Sequence, residues 1–280
     1  MQKILSDLRQ EIDQIDNQLI SLLEARMTIV SQVSQLKKSN KEKFFIKQAR
    51  EADMIKNLIS KPNLKFPKST IISIWRKLIT AANMHEQPLT IALHNPRNIV
   101  DYNYLIREFY NNEVPIIKCD SAQNAILELE KGIANIGIFA LPKRDNSHSD
   151  EDWWVNIAHN KHNLRVFTTI PFVKNSDESY QLVAVADIEP EKSMEDNSLF
   201  FIELESGVSR ARLINLLKEN NLNFQILKST KLPQVEGIEF YLIEVDGFFT
   251  QDSPLIKQLS SSAVKPYIKV IGQYAKPIMI

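Results

Sequence analysis

The chain has 280 residues, 44% hydrophobic and 24% charged, with Lys plus Arg and Asp plus Glu both at 34. That is an ordinary soluble composition, long enough for two or three domains, and its neutral balance argues against general affinity for nucleic acid or an anionic membrane. A single cysteine, Cys119, excludes an internal disulfide and a cysteine-built zinc site and fits a reducing compartment. The opening MQKILSDLRQEID is broken by charge before any signal-like apolar run, and no later run is long enough to span a bilayer, so the cytoplasm is the expected location.

Residues 5–38 predict one long helix. Leu8, Ile12, Ile15, Leu19, Leu22, Ile29, Val33 and Leu36 form an apolar stripe at helical spacing, and the gap between Leu22 and Ile29 is occupied by Arg26. A guanidinium is costly to bury unpaired, so an arginine there calls for an anionic partner, a ligand or a carboxylate such as Glu24 of another chain. Lys37 lies 11 residues further on, within roughly 20° of Arg26, whereas Arg9 points about 100° away. A helix of this length with one stripe needs a partner, and coiled-coil-like pairing in a dimer is the natural cover.

A second helix is predicted from about Ile46, through Arg50, Glu51, Met54, Ile55, Leu58 and Ile59, closed by Pro62 and Pro67. A third begins near Lys68 with Ile72, Trp75, Ile79 and Ala82 on one face, and the next residue in that rhythm is the acid Glu86. Taken singly, each of these charges reads as a solvated surface residue or a frayed end. As an ordered set they do not.

The segments LRQEIDQIDNQLISLLEAR (8–26), Lys37, Arg50 with Glu51, and IISIWRKLITAANMHEQPL (71–89) resemble the all-helical chorismate mutases over residues 1–87. The resemblance implies an isomerase that turns chorismate into prephenate by a pericyclic shift, with no cofactor and no metal, in an intertwined homodimer with shared sites. Arg26 and Arg50 would hold the substrate carboxylates, and Arg9 would reach in from the other subunit. Lys37 would face the ether oxygen, Glu51 would accept from the ring hydroxyl, and Glu86 falls where many members place a glutamine donor to that ether. As an acid Glu86 can donate only when protonated, so activity is expected to fall as pH rises. Lys47 and Ala82 depart from a frequent aspartate and serine.

From Pro88 the pattern becomes short apolar runs alternating with helices: strands at 89–93, 114–118 and 133–140, helices at 100–110 and 122–131, then strands at 164–172 and 180–186. This suggests a small α/β lobe over 88–190 with a parallel sheet. TIALHNPRNIVDYNYL and AQNAILELEKGIANIGIFALP resemble the first lobe of prephenate dehydratase, but no Thr-Arg-Phe run is present, so loss of that activity is expected. His159 and His162 read as surface residues, Trp153 and Trp154 as helix anchors, Cys119 as an inert thiol, and Lys143–Asp152 as a surface loop.

Residues 195–280 predict β-α-β-β-α-β, a ferredoxin-like α+β unit. It resembles ACT regulatory domains, which implies side-by-side pairing and an aromatic amino acid effector, although KSTKLP at 228–233 replaces the element associated with phenylalanine. Gly207, at the first turn, is a ligand-approach position or a plain turn glycine. The expected whole is multidomain: three helices, an α/β lobe and an ACT-like unit. The expected function is chorismate mutase in aromatic amino acid biosynthesis, with an isochorismate pyruvate lyase or a non-catalytic aromatic amino acid sensor as alternatives.

Overall fold

The computed structural model describes residues 4–40, 45–95, 102–142, 152–174 and 181–279. Three helices come first: α1 (Leu5–Ser39), α2 (Gln48–Ile59) and α3 (Lys68–Glu86). The second starts later than expected, because Phe45 and Ile46 are buried in extended chain ahead of it.

One face of α1, bearing Leu23, Arg26, Met27, Val30, Ser34 and Lys37, is half-buried or buried, and the helix packs on α3. Most of the apolar stripe lies on the neighbouring face and stays in solvent, Ile12 being 56% exposed, Leu19 52% and Leu22 66%, while Val33 is half-buried. The sequence places Arg26 within a core-facing stripe. Instead, Arg26 belongs to the packed face, and the stripe from Leu8 to Leu22 has no cover from the described residues of its own chain.

The lobe follows as β1 (Ile91–His94), α4 (Tyr102–Phe109), β2 (Ile116–Cys119), α5 (Ala122–Glu130), β3 (Ile136–Ala140), α6 (Trp153–Ala158), β4 (Leu164–Ile170), β5 (Val173–Lys174) and β6 (Leu182–Asp187). The last part comprises β7 (Asp196–Glu205), α7 (Arg210–Glu219), β8 (Phe224–Thr230), β9 (Ile238–Asp246), α8 (Pro254–Ser260), β10 (Tyr267–Ala275) and β11 (Ile278–Met279). Side-chain caps start two helices, Ser121 accepting from Asn124 N at 3.0 Å and Ser209 from Arg212 N at 3.4 Å. The expected helix start at Val100 and most of the Lys143–Asp152 loop lie outside the described residues.

The strand order is β2-β1-β3-β6-β4-β10-β7-β9-β8. Only β1 with its two neighbours and the β4–β10 pair are parallel, so the sheet is mixed where a parallel one was expected. The cause is β6, which returns antiparallel to both β3 and β4. The last four strands, β10-β7-β9-β8, are antiparallel in the order of a β-α-β-β-α-β unit.

These four do not form a separate sheet. At the join, Gly272 of β10 pairs with Val166 of β4, and both strands carry an irregularity beside that contact. A Cβ on Gly272 would meet Val166 Cβ at 2.4 Å and Val166 O at 2.5 Å, so only glycine allows the two strands to come this close. A shared core backs the join. Val166, Val183 and Val185 cluster with Leu199, Phe201 and Leu242 beneath α6. Adjacent tryptophans on α6 reach both halves: Trp153 stacks on Phe139 at 5.3 Å and Trp154 meets Phe201 at 5.9 Å.

Another core unites the helical segment with the lobe, joining Ile55, Ile72 and Ile79 to Ile91, Ile106, Phe109 and Ile170. Polar ties reinforce the docking of α2 on the chain between β6 and β7: Lys47–Glu191 at 2.9 Å, Lys56–Glu195 at 3.4 Å, and Asp53 accepting from Met194 N at 3.0 Å.

Elsewhere, Cys119 is half-buried and its thiol is pushed up by burial, then by Glu128 and Asp120, which fits an unreactive side chain. His159 is exposed, 3.4 Å from Glu203. Gly207 is exposed with open space where a Cβ would stand. No metal-binding cluster occurs among the described residues, and none of their helices is long and apolar enough to cross a membrane.

Candidate active site

Helices α1, α2 and α3 enclose a cavity of about 340 Å³. Arg26, Lys37, Arg50, Glu51 and Glu86 all line it, together with Lys47, Ala82 and Asn83. Five of the six residues expected at the site therefore meet in one chain. Arg9 does not. It sits on the exposed N-terminal half of α1, turned away as the helical angle requires.

Glu51 is buried, and both of its oxygens are engaged. Arg76 Nη2 donates to Oε2 at 2.6 Å and Asn83 Nδ2 donates to Oε1 at 3.0 Å. A carboxylate has about four acceptor sites, so a further donor can still be taken from the cavity. Lys37 Nζ donates to Glu86 Oε2 at 2.5 Å and to Phe45 O at 2.8 Å, which leaves one of its three hydrogens for a ligand. Gln87 Oε1 accepts from Phe45 N at 2.9 Å and fixes the backbone segment that carries this carbonyl.

The charge count in the cavity is informative. Glu51 is matched by Arg76, Glu86 by Lys37, and Lys47 is tied to Glu191. Arg26 and Arg50 remain without an acidic partner among the described residues, Arg26 touching only Leu78 O at 3.4 Å. Two uncommitted guanidinium groups facing one cavity suit a ligand with two carboxylates, since each fork binds a carboxylate bidentately. A wider, more open groove runs along the outer side of α2 past Asp53, Asn57 and Lys61, and Arg50 stands between the two.

Arg76 and Asn83 escape the sequence reading. It places Ile72, Trp75, Ile79 and Ala82 on the buried face of α3; Ile72, Ile79 and Ala82 are buried, as are Ile71, Arg76, Thr80, Asn83 and Glu86, but Trp75 is only half-buried. The spacing 76, 79, 83, 86 carries the signal, with steps of 3, 4 and 3. Three of its four members are polar, and of these Arg76 and Asn83 read as surface.

Residues 8–87 match the family model for chorismate mutase type II, and the helical segment is a domain of that kind followed by a mixed α/β region. A curated relative, the bifunctional chorismate mutase/prephenate dehydratase of Aquifex aeolicus (strain VF5), is 22% identical over 139 residues. That alignment takes in 48% of this chain and 38% of the relative, so the chain spans well under half of the relative's length. A solved structure described as GqqA, a quorum-quenching acylase, shares the fold at TM-score 0.50 and 13% identity, over 66% of this chain and 94% of that one. The prephenate dehydratase of Streptococcus mutans aligns at TM-score 0.49 and 10% identity, over 69% of this chain and 100% of that one.

Proposed function

We propose that this protein is a chorismate mutase, converting chorismate to prephenate in the cytoplasmic biosynthesis of aromatic amino acids. The observation that carries the reading is the pair of uncommitted guanidinium groups, Arg26 and Arg50, facing a cavity that also holds Lys37, Glu51 and Glu86 within a domain of this family. The rearrangement needs no nucleophile and no proton transfer. The protein must hold the compact dicarboxylate conformer and stabilise charge growing on the ether oxygen. Arg26 and Arg50 take the carboxylates, Glu51 takes the ring hydroxyl, and the remaining hydrogen of Lys37 meets the ether oxygen, with Glu86 beside it.

The functional unit in this proposal is a homodimer. The exposed stripe on α1 is apolar over several turns, as a second copy of the same helix requires, and the pairing brings Arg9 of one protomer to the cavity of the other. The α/β region carries no dehydratase activity in this reading, which the missing Thr-Arg-Phe run supports, and an aromatic amino acid is a candidate effector of the C-terminal unit.

The deciding experiment follows chorismate consumption by the full chain, with product identification, repeated with phenylalanine and tyrosine. Prephenate is the expected product. Phenylpyruvate would overturn the loss of dehydratase activity, and a folded dimer that leaves chorismate untouched would favour a sensor.

A further inference from the structure

We infer that Arg76 is a positioning residue for Glu51, and that through it the α/β lobe holds the mutase site in shape. The inference rests on the mutase reading above and gives the lobe a task within it. Helix α3 stands between cavity and lobe, and Arg76, only 4% exposed, touches both sides. Its Nη2 donates to Glu51 at 2.6 Å, while its guanidinium carbon lies 4.3 Å from the ring centroid of Phe109, a buried residue of α4. The ring face attracts the cation and walls it in.

Little else fixes that group. Its Nε is buried with no hydrogen-bond partner, so packing alone holds that nitrogen. Asn83 supplies the second donor to Glu51 from two turns further along the same helix. The neighbouring residue grips the same lobe helix. Lys77 Nζ donates to Arg107 O and, at 2.9 Å, to Tyr110 O at the C-terminal end of α4, where a cation also suits the helix dipole. Asn111 Nδ2 returns a bond to Lys77 O at 3.4 Å. Consecutive cations thus lock α3 to the lobe while one of them orients the carboxylate in the cavity.

A buried ion pair serving stability alone would leave turnover unchanged once folding is allowed for. A positioning role predicts coupling specific to Glu51. The test is a double-mutant cycle in the full-length protein, read as kcat and KM for chorismate beside melting temperature. Arg76→Gln should lower kcat/KM by about tenfold or more, a size expected for contacting residues. In the Glu51→Gln background the same change should alter it by less than about twofold.

Phe109→Leu lines no part of the cavity and changes core volume modestly, so it covers the case in which Arg76→Gln fails to fold. It should give a smaller loss that likewise vanishes with Glu51→Gln. Losses that add in full across the two backgrounds would overturn the inference while leaving the mutase reading intact. Wild-type protein without chorismate turnover would overturn both.

Discussion

At the scale of single residues, the cation nearest the breaking bond in the proposed site is Lys37. Lys37→Ala removes the proposed donor to the ether oxygen, and its expected cost is about 2.7 to 4 kcal/mol of barrier, a fall of about 10² to 10³ in kcat with folding retained. Single-turnover measurement with saturating chorismate checks it. Glu86 is the more discriminating position. It accepts from Lys37 at 2.5 Å, so in the substrate-free site it acts as an acceptor, whereas the ether oxygen asks for a donor. Glu86→Gln supplies both functions without a charge. The variant is expected to turn over chorismate at least as fast as the wild type, and a fall in kcat with folding retained would refute a donor role at this position.

The contrast between these residues and Arg76 shows what a sequence reveals about a site. Arg26 and Glu86 are legible because they fall within apolar rhythms, the helical angle ties Lys37 to Arg26, and Arg50 with Glu51 stands out through the family resemblance. Arg76 and Asn83 are not legible in that way. Their burial depends on meeting Glu51 across 25 and 32 residues, and a helix carrying them looks like one with an ordinary polar face.

At the scale of elements, the three helices and the final β-α-β-β-α-β order follow from local periodicity, and they stand close to their expected bounds. The pairing of β4 with β10 does not. It joins strands about a hundred residues apart through one residue pair, and nothing in either strand's own alternation encodes its neighbour. The one local hint is Gly272 within an apolar strand, a sign of close backbone approach. Gly272→Ala sets a methyl 2.4 Å from Val166 Cβ and against its carbonyl, so the strands must part. A loss of about 1 to 3 kcal/mol in unfolding free energy is expected from denaturant titration. Val166→Ala should not rescue it, because the carbonyl oxygen stays at 2.5 Å.

At the scale of the whole molecule, the helical segment shares a core with the lobe, and the lobe shares a core and one sheet with the C-terminal unit, so packing continues across residues 88 and 190. The proposed dimer divides the cations of α1 between two sites, Arg26 and Lys37 serving one and Arg9 the other. Complementation checks that division. Arg9→Ala and Arg26→Ala homodimers should each be nearly inactive, and mixing them under conditions of subunit exchange should recover up to about a quarter of wild-type activity, from the one intact site in each heterodimer of a half-and-half mixture. Confirmed heterodimers without recovery would refute the shared site.

The uncovered stripe on α1 carries one more consequence. In a dimer whose sites each borrow an arginine, turnover per chain depends on protein concentration, because a separated protomer lacks a substrate anchor. On that proposal chorismate, held also by the partner's arginine, would bind the assembled pair more tightly than a lone protomer and so draw protomers together by mass action. In the proposed dimer the substrate would then be part of the glue, and assembly would be firmest when chorismate is abundant.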